Sequence, residues 1–180
     1  MGSLDCNEYE NLMRRKGGDY SLGHRIMYET PIRLLTGKRR NILEAGFGIG
    51  WGLDQMVKAD IIESYRGCEP NADSFNFVRR KWGDAQRIAL RHGAFERTKP
   101  ADHVFCIEVI EHVPMDGHAG FLADLRASTA GTLWMSTPDV TKHRSEGVRT
   151  KEDWKAMLRA AGFNDVTVHT EQWTVLFVAQ

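Results

Sequence analysis

The chain has 180 residues, 42% of them apolar and 27% charged, and its 24 basic and 24 acidic side chains leave no formal net charge. That length suits one globular domain that buries its own core without disulfides or a structural metal, and zero net charge argues against a nonspecific hold on nucleic acid or on an anionic membrane. No apolar run nears the length of a membrane span, no secretory signal stands at the start, and Cys6, Cys68 and Cys106 form no CxxC pair, so they read as reduced thiols of a cytoplasmic protein.

Residues 1–40 read as a helical lead-in or lid. A short helix is expected over 8–16, broken by Gly17-Gly18. A second is expected over 21–35, with Ile26, Met27, Ile32 and Leu35 on its apolar side and Pro31 interrupting it or starting its last part. After a polar turn at 36–40, strands and helices alternate: strand 41–45, helix 51–58, strand 65–69, helix 72–81, strand 87–90, strand 102–109, helix 117–129, strand 132–136 and helix 151–161, the last closed by Gly162. Two consecutive strands follow, 165–168 and 174–178, with a turn near Gln172 and Trp173. Alternation implies a mostly parallel sheet covered on both faces, and so tight a final connection joins only antiparallel strands. The expected architecture is α/β: a Rossmann-like three-layer sandwich, with a seven-stranded, mostly parallel sheet whose last strand is antiparallel. Residues 1–180 form a single domain, with 41–180 as its core.

The strongest local signal is Glu44-Ala45-Gly46-Phe47-Gly48-Ile49-Gly50, between the first strand and the helix after it. Glycines there permit a sharp turn and close approach of a ligand to the main chain. A dinucleotide GxGxxG needs its third glycine where Trp51 stands, and no phosphate loop GxxxxGK[ST] occurs. Taken alone, the pattern fits either a tight turn or a ligand site.

Residues 44–50 resemble the first motif of class I S-adenosylmethionine-dependent methyltransferases. Arg66-Gly67-Cys68-Glu69-Pro70 is similar to that family's second strand with its terminal acid. Residues 102–113 resemble its fourth strand in the branch of the ubiquinone-biosynthesis O-methyltransferases, and Arg159-Ala160-Ala161-Gly162-Phe163 resembles the helix end before the last two strands. The match runs from about Asn41 to Gln180 in order and spacing.

The resemblance implies S-adenosylmethionine as cofactor and S-adenosylhomocysteine as its product. Gly46, Phe47, Gly48 and Gly50 would make room for the methionine part and the sulfonium. Glu69, followed by Pro70 and 25 positions after Glu44, would accept the ribose hydroxyls. Glu44 would order the loop, directly or through water to the amino group; the plainer alternative is a cap on backbone N–H groups. The Asp that commonly ends the third strand is absent, and Ala94 or Phe95 stands there, so adenine is expected on main-chain groups of Ala94 and Phe95; Phe95 serves otherwise as an ordinary core residue. The carbonyl of Glu108 would lie near the methionine amino group, beside Val109. His112 would face the acceptor, either as the base that takes its proton or as a cap of the next loop.

A metal reading exists for the same stretch. If 108–112 coils helically, Glu108, Glu111 and His112 share one face, with His143 as a further ligand, a set suited to Mg²⁺ or Mn²⁺; small-RNA 3′-terminal 2′-O-methyltransferases resemble this stretch and use such a site. Tyr20, His24 and Tyr28 would line the lid, Trp134 and Trp154 belong to the core, and Trp51 belongs to the core or the cofactor wall. The resulting expectation is methyl transfer to oxygen or nitrogen of a small-molecule acceptor. With no inserted substrate domain, the cleft stays open or borrows a wall from a second copy in a homo-oligomer. The alternatives are a metal-assisted RNA terminal-ribose methyltransferase, which the neutral charge disfavours, and a cofactor-binding scaffold without catalysis.

Overall fold

The computed structural model describes residues 19–141, 147–171 and 174–180. Its seven strands are β1 (Arg40–Ala45), β2 (Ile62–Glu69), β3 (Ile88–His92), β4 (Ala101–Ile107), β5 (Thr129–Pro138), β6 (Val166–Glu171) and β7 (Thr174–Ala179). They form one sheet in the order β3-β2-β1-β4-β5-β7-β6. β1 pairs in parallel with β2 and β4, and β7 runs antiparallel to both β5 and β6. The helices are α1 (Asp19–Leu35), α2 (Trp51–Lys58), α3 (Ala72–Trp82), α4 (His118–Ala127) and α5 (Lys151–Ala160). The expected helix over 8–16 lies outside the described residues, and no described helix is long and apolar enough to cross a membrane.

Strand side chains alternate between the two faces, and neighbouring residues split accordingly. Ile42, Tyr65, Phe105, Trp134 and Leu176 enter one core with Met27 and Tyr28 of α1, Leu53 and Met56 of α2 and Val78 of α3. Leu43, Val104, Cys106, Leu133, Met135 and Phe177 enter the other with Leu122 and Leu125 of α4 and Trp154 and Leu158 of α5. The result is three layers, with β1 and β4 central.

Several expectations shift. Pro31 lies inside an unbroken α1: it lacks the N–H that would bond to Met27, but buried Met27, Tyr28, Ile32 and Leu35 hold both halves of the helix on the sheet. β3 runs to His92 because its pairing with β2 continues to Glu69↔His92. β4 stops at Ile107 because Glu108 takes φ +55, a left-handed conformation that turns the chain out of a strand. β5 is longer at both ends because it has partners on both edges, from Ala101↔Thr129 to Pro138↔Thr174.

Candidate functional site

The chain leaves β1 on one side of the sheet and β4 on the other, so their carboxyl ends frame a crevice at the switch in strand order, the usual ligand position in open α/β sheets. The glycine turn lies there. Gly46, Gly48 and Gly50 have φ of 70, 53 and 77°, and the turn is tied to β2 by bonds from the N–H groups of Gly46 and Phe47 to the Cys68 carbonyl at 2.9 and 3.3 Å. Gly48 is the open point: a Cβ built there would meet nothing within 4 Å. Gly52, the second residue of α2, is the close-packed counterpart, with the Tyr28 ring where its Cβ would be.

Glu69 closes the turn from the end of β2. It is 7% exposed, and its two carboxylate oxygens accept from the N–H of Gly48 and the N–H of Asn71, both at 2.8 Å. Each oxygen retains a lone pair. The Asn71 side chain in turn caps α3, accepting from Asp73 and Ser74 at 3.0 Å, so the residues after exposed Pro70 are held on both sides.

Glu44 is fully buried. Its partners are side chains rather than backbone N–H groups: the hydroxyls of Tyr28 and Tyr65 donate to its two oxygens, the latter at 2.5 Å. Burial raises its pKa to about 7, against the downward pull of both tyrosines. The Tyr28 ring stacks on Phe105 at 5.9 Å and meets half-buried Trp51 edge-on at 5.7 Å, which joins α1 to the floor of the turn.

At the third strand, Ala94 is exposed and its carbonyl accepts from Arg91. The Phe95 ring packs edge-on against Phe121 at 5.6 Å, within the second core. His92, not singled out in the sequence, is exposed at the end of β3, with Nε2 3.1 Å from the Pro70 carbonyl and its ring stacked on Phe75 at 5.2 Å. Its place at a strand's carboxyl end was the available signal.

Beyond β4, the Glu108 N–H bonds to the carbonyl and the hydroxyl of Ser136, each at 3.2 Å, and the Ser136 hydroxyl returns a bond to the Glu108 carboxyl at 2.8 Å. Val109 packs over Gly46. Ile110–His112 form a single 3₁₀ turn, which leaves His112 exposed. Burial raises the pKa of both Glu108 and Glu111, and the charge of Glu108 raises that of Glu111 further; one Glu111 oxygen is buried without a hydrogen-bond partner. Among the described residues no three His, Cys, Asp or Glu side chains gather as a metal site, so Glu108, Glu111 and His112 do not form the set a regular helical coil would give. His143, and the side chains of Tyr20 and His24, lie outside what is described. Buried His118 is a second residue missed in the sequence, although its spacing from Phe121 and Leu122 put it on the buried face of α4.

No family model matches the chain, and no curated protein matches its sequence. Solved structures do. Magnesium protoporphyrin IX methyltransferase (ChlM) from Synechocystis PCC 6803, with bound SAM, superposes with a TM-score of 0.74 at 13% identity over 100% of this chain and 99% of that one. The chain has the fold of S-adenosylmethionine-dependent methyltransferases. The methyltransferase domain of a bacterial CtHen1 protein gives 0.73 at 17% identity over 88% and 98%. The CurJ carbon methyltransferase gives 0.65 at 14% identity over 79% of this chain, which spans only 48% of that protein.

Proposed function

We propose that this chain is an S-adenosylmethionine-dependent methyltransferase acting on oxygen or nitrogen of a small-molecule acceptor. The observation that carries this reading is the Glu69–Gly48 bond: a buried carboxylate at the end of β2 grips a left-handed glycine turn at its one open point. The residues fit the cofactor. Free lone pairs on Glu69 suit two vicinal ribose hydroxyls. The space over Gly48 admits a ligand against the main chain, and Val109 and Glu108 border the turn from β4.

When bound, S-adenosylmethionine supplies an electrophilic methyl group with a neutral thioether as leaving group. The chain's own work is alignment, which by itself can contribute several kcal/mol. Exposed His112 would take the proton that an alcohol, phenol or ammonium acceptor must lose. Adenine would lie past Pro70, toward Ala94 and His92, with Phe95 backing that wall from the core.

Calorimetric titration with S-adenosylmethionine and S-adenosylhomocysteine tests the reading. Micromolar binding is expected, weakened about tenfold or more, or about 1.4 kcal/mol, in Glu69→Ala, with NAD as a negative control. Absence of binding by the wild type overturns the reading.

A further inference from the structure

His118 opens α4 yet is fully buried. Its Nε2 lies 2.9 Å from the carbonyl of Val113, which can only accept, so Nε2 carries the proton. Its Nδ1 accepts from Nε–H of Arg149 at 3.1 Å. The imidazole is therefore neutral and in a single tautomer; if protonated, it would turn a second N–H toward the arginine's own. Burial and the nearby Arg149 charge lower its pKa, in line with that state. The ring also packs on Trp154 at 5.0 Å, and the Arg149 guanidinium lies over the same indole at 5.9 Å.

These contacts join two segments, the turn after β4 and the stretch before α5. Val113 closes the 3₁₀ turn that carries Glu111 and His112, and Arg149 stands just before Thr150, the cap of α5. A separate contact ties the same segments, since the backbone of Gly147, at φ +95, leaves a Cβ only 2.5 Å from the Glu111 carbonyl. The turn is continuous with Val109, whose side chain presses on Gly46.

We infer that His118 is a positioning residue: through Val113 and Arg149 it fixes the turn after β4, and so the wall that Val109 and Glu108 present to the amino-acid end of the cofactor. This rests on the cofactor reading above. Two ligands separate the ends of that site. S-adenosylhomocysteine has the amino-acid part, and 5′-deoxy-5′-methylthioadenosine lacks it. His118→Asn keeps an acceptor near Arg149 but loses the Val113 donor; His118→Gln can restore that donor; Arg149→Met removes the arginine from outside the core.

His118→Asn and Arg149→Met are expected to weaken S-adenosylhomocysteine about fivefold, the scale of one hydrogen bond, and to leave methylthioadenosine within about twofold. His118→Gln, which restores the Val113 link, should recover part of the loss. If His118→Asn does not fold, Arg149→Met decides. Equal losses for both ligands, or none for either, overturn the inference. A wild type that binds neither ligand overturns the cofactor reading and this inference with it, whereas a wild type that binds both, with variants that do not discriminate between them, overturns the inference alone.

Discussion

Tyr28 of α1 donates its hydroxyl to Glu44 of β1 while its ring fills the space beside Gly52 and stacks on Phe105. One side chain thus binds the amino-terminal helix to a buried carboxyl, to the helix after the glycine turn and to the central strand β4. Tyr28→Phe keeps the ring and removes the donor. Glu44 then relies on Tyr65 alone, and the fold should lose about 1–2 kcal/mol in urea unfolding at neutral pH, with little change in the denaturant slope.

Glu44 also sets a pH dependence. Its pKa rises from the ordinary 4.5 to about 7 in the folded chain, so between those values the folded state binds more protons than the unfolded one. Stability from this group is complete below about pH 4.5 and falls as pH rises through 7, by on the order of 3 kcal/mol. Glu44→Gln should flatten that slope. Denaturant curves at about pH 5 and pH 8 measure it, and an unchanged slope in the variant would assign the effect elsewhere.

The carboxyl pair after β4 obeys the same sign. Glu108 and Glu111 are both raised by burial, so ionising them costs stability as pH rises. Glu111→Gln should melt a few degrees above the wild type at about pH 8.5 and match it near pH 5. A lower melting temperature at both pH values would mean that the carboxyl is held by a favourable partner.

Two glycines of the site separate folding from binding. Gly52→Ala drives a methyl into the Tyr28 ring and should cost about 1–3 kcal/mol. Gly48→Ala meets no neighbour, so its cost is the strain of φ +53, roughly 1–2 kcal/mol. It places a methyl in the space left for a ligand, and S-adenosylmethionine affinity should fall far more than stability. Melting curves and calorimetry on the two variants make the comparison.

What could be read from the chain is what is local. Short apolar runs alternating with helical stretches, and two consecutive strands at the end, were enough for a mostly parallel seven-stranded sheet with its last strand antiparallel. The glycine turn and the strand-end acid were legible because each sits in a few consecutive residues. The Tyr28–Glu44–Tyr65 cluster was not, because its contacts span 16 and 21 positions and nothing in the sequence names a carboxyl's distant donor. Glu108 was expected to continue its strand, and only the backbone shows its left-handed turn. His118 was missed although its spacing put it on the buried face of its helix, because its partners Arg149 and Trp154 lie more than thirty positions away.

The strand order carries a consequence for the growing chain. β7 is made after the other six strands described, yet it lies between β5 and β6, with Ala179 opposite Leu133 of one and Val166 of the other. Until it emerges from the ribosome, β5 keeps a bare edge from Leu133 to Pro138, and β6 has no neighbour to pair with. Such an edge is a template for another chain. A chain cut short just before Thr174 would therefore be prone to aggregate, because the strand it lacks belongs inside the sheet.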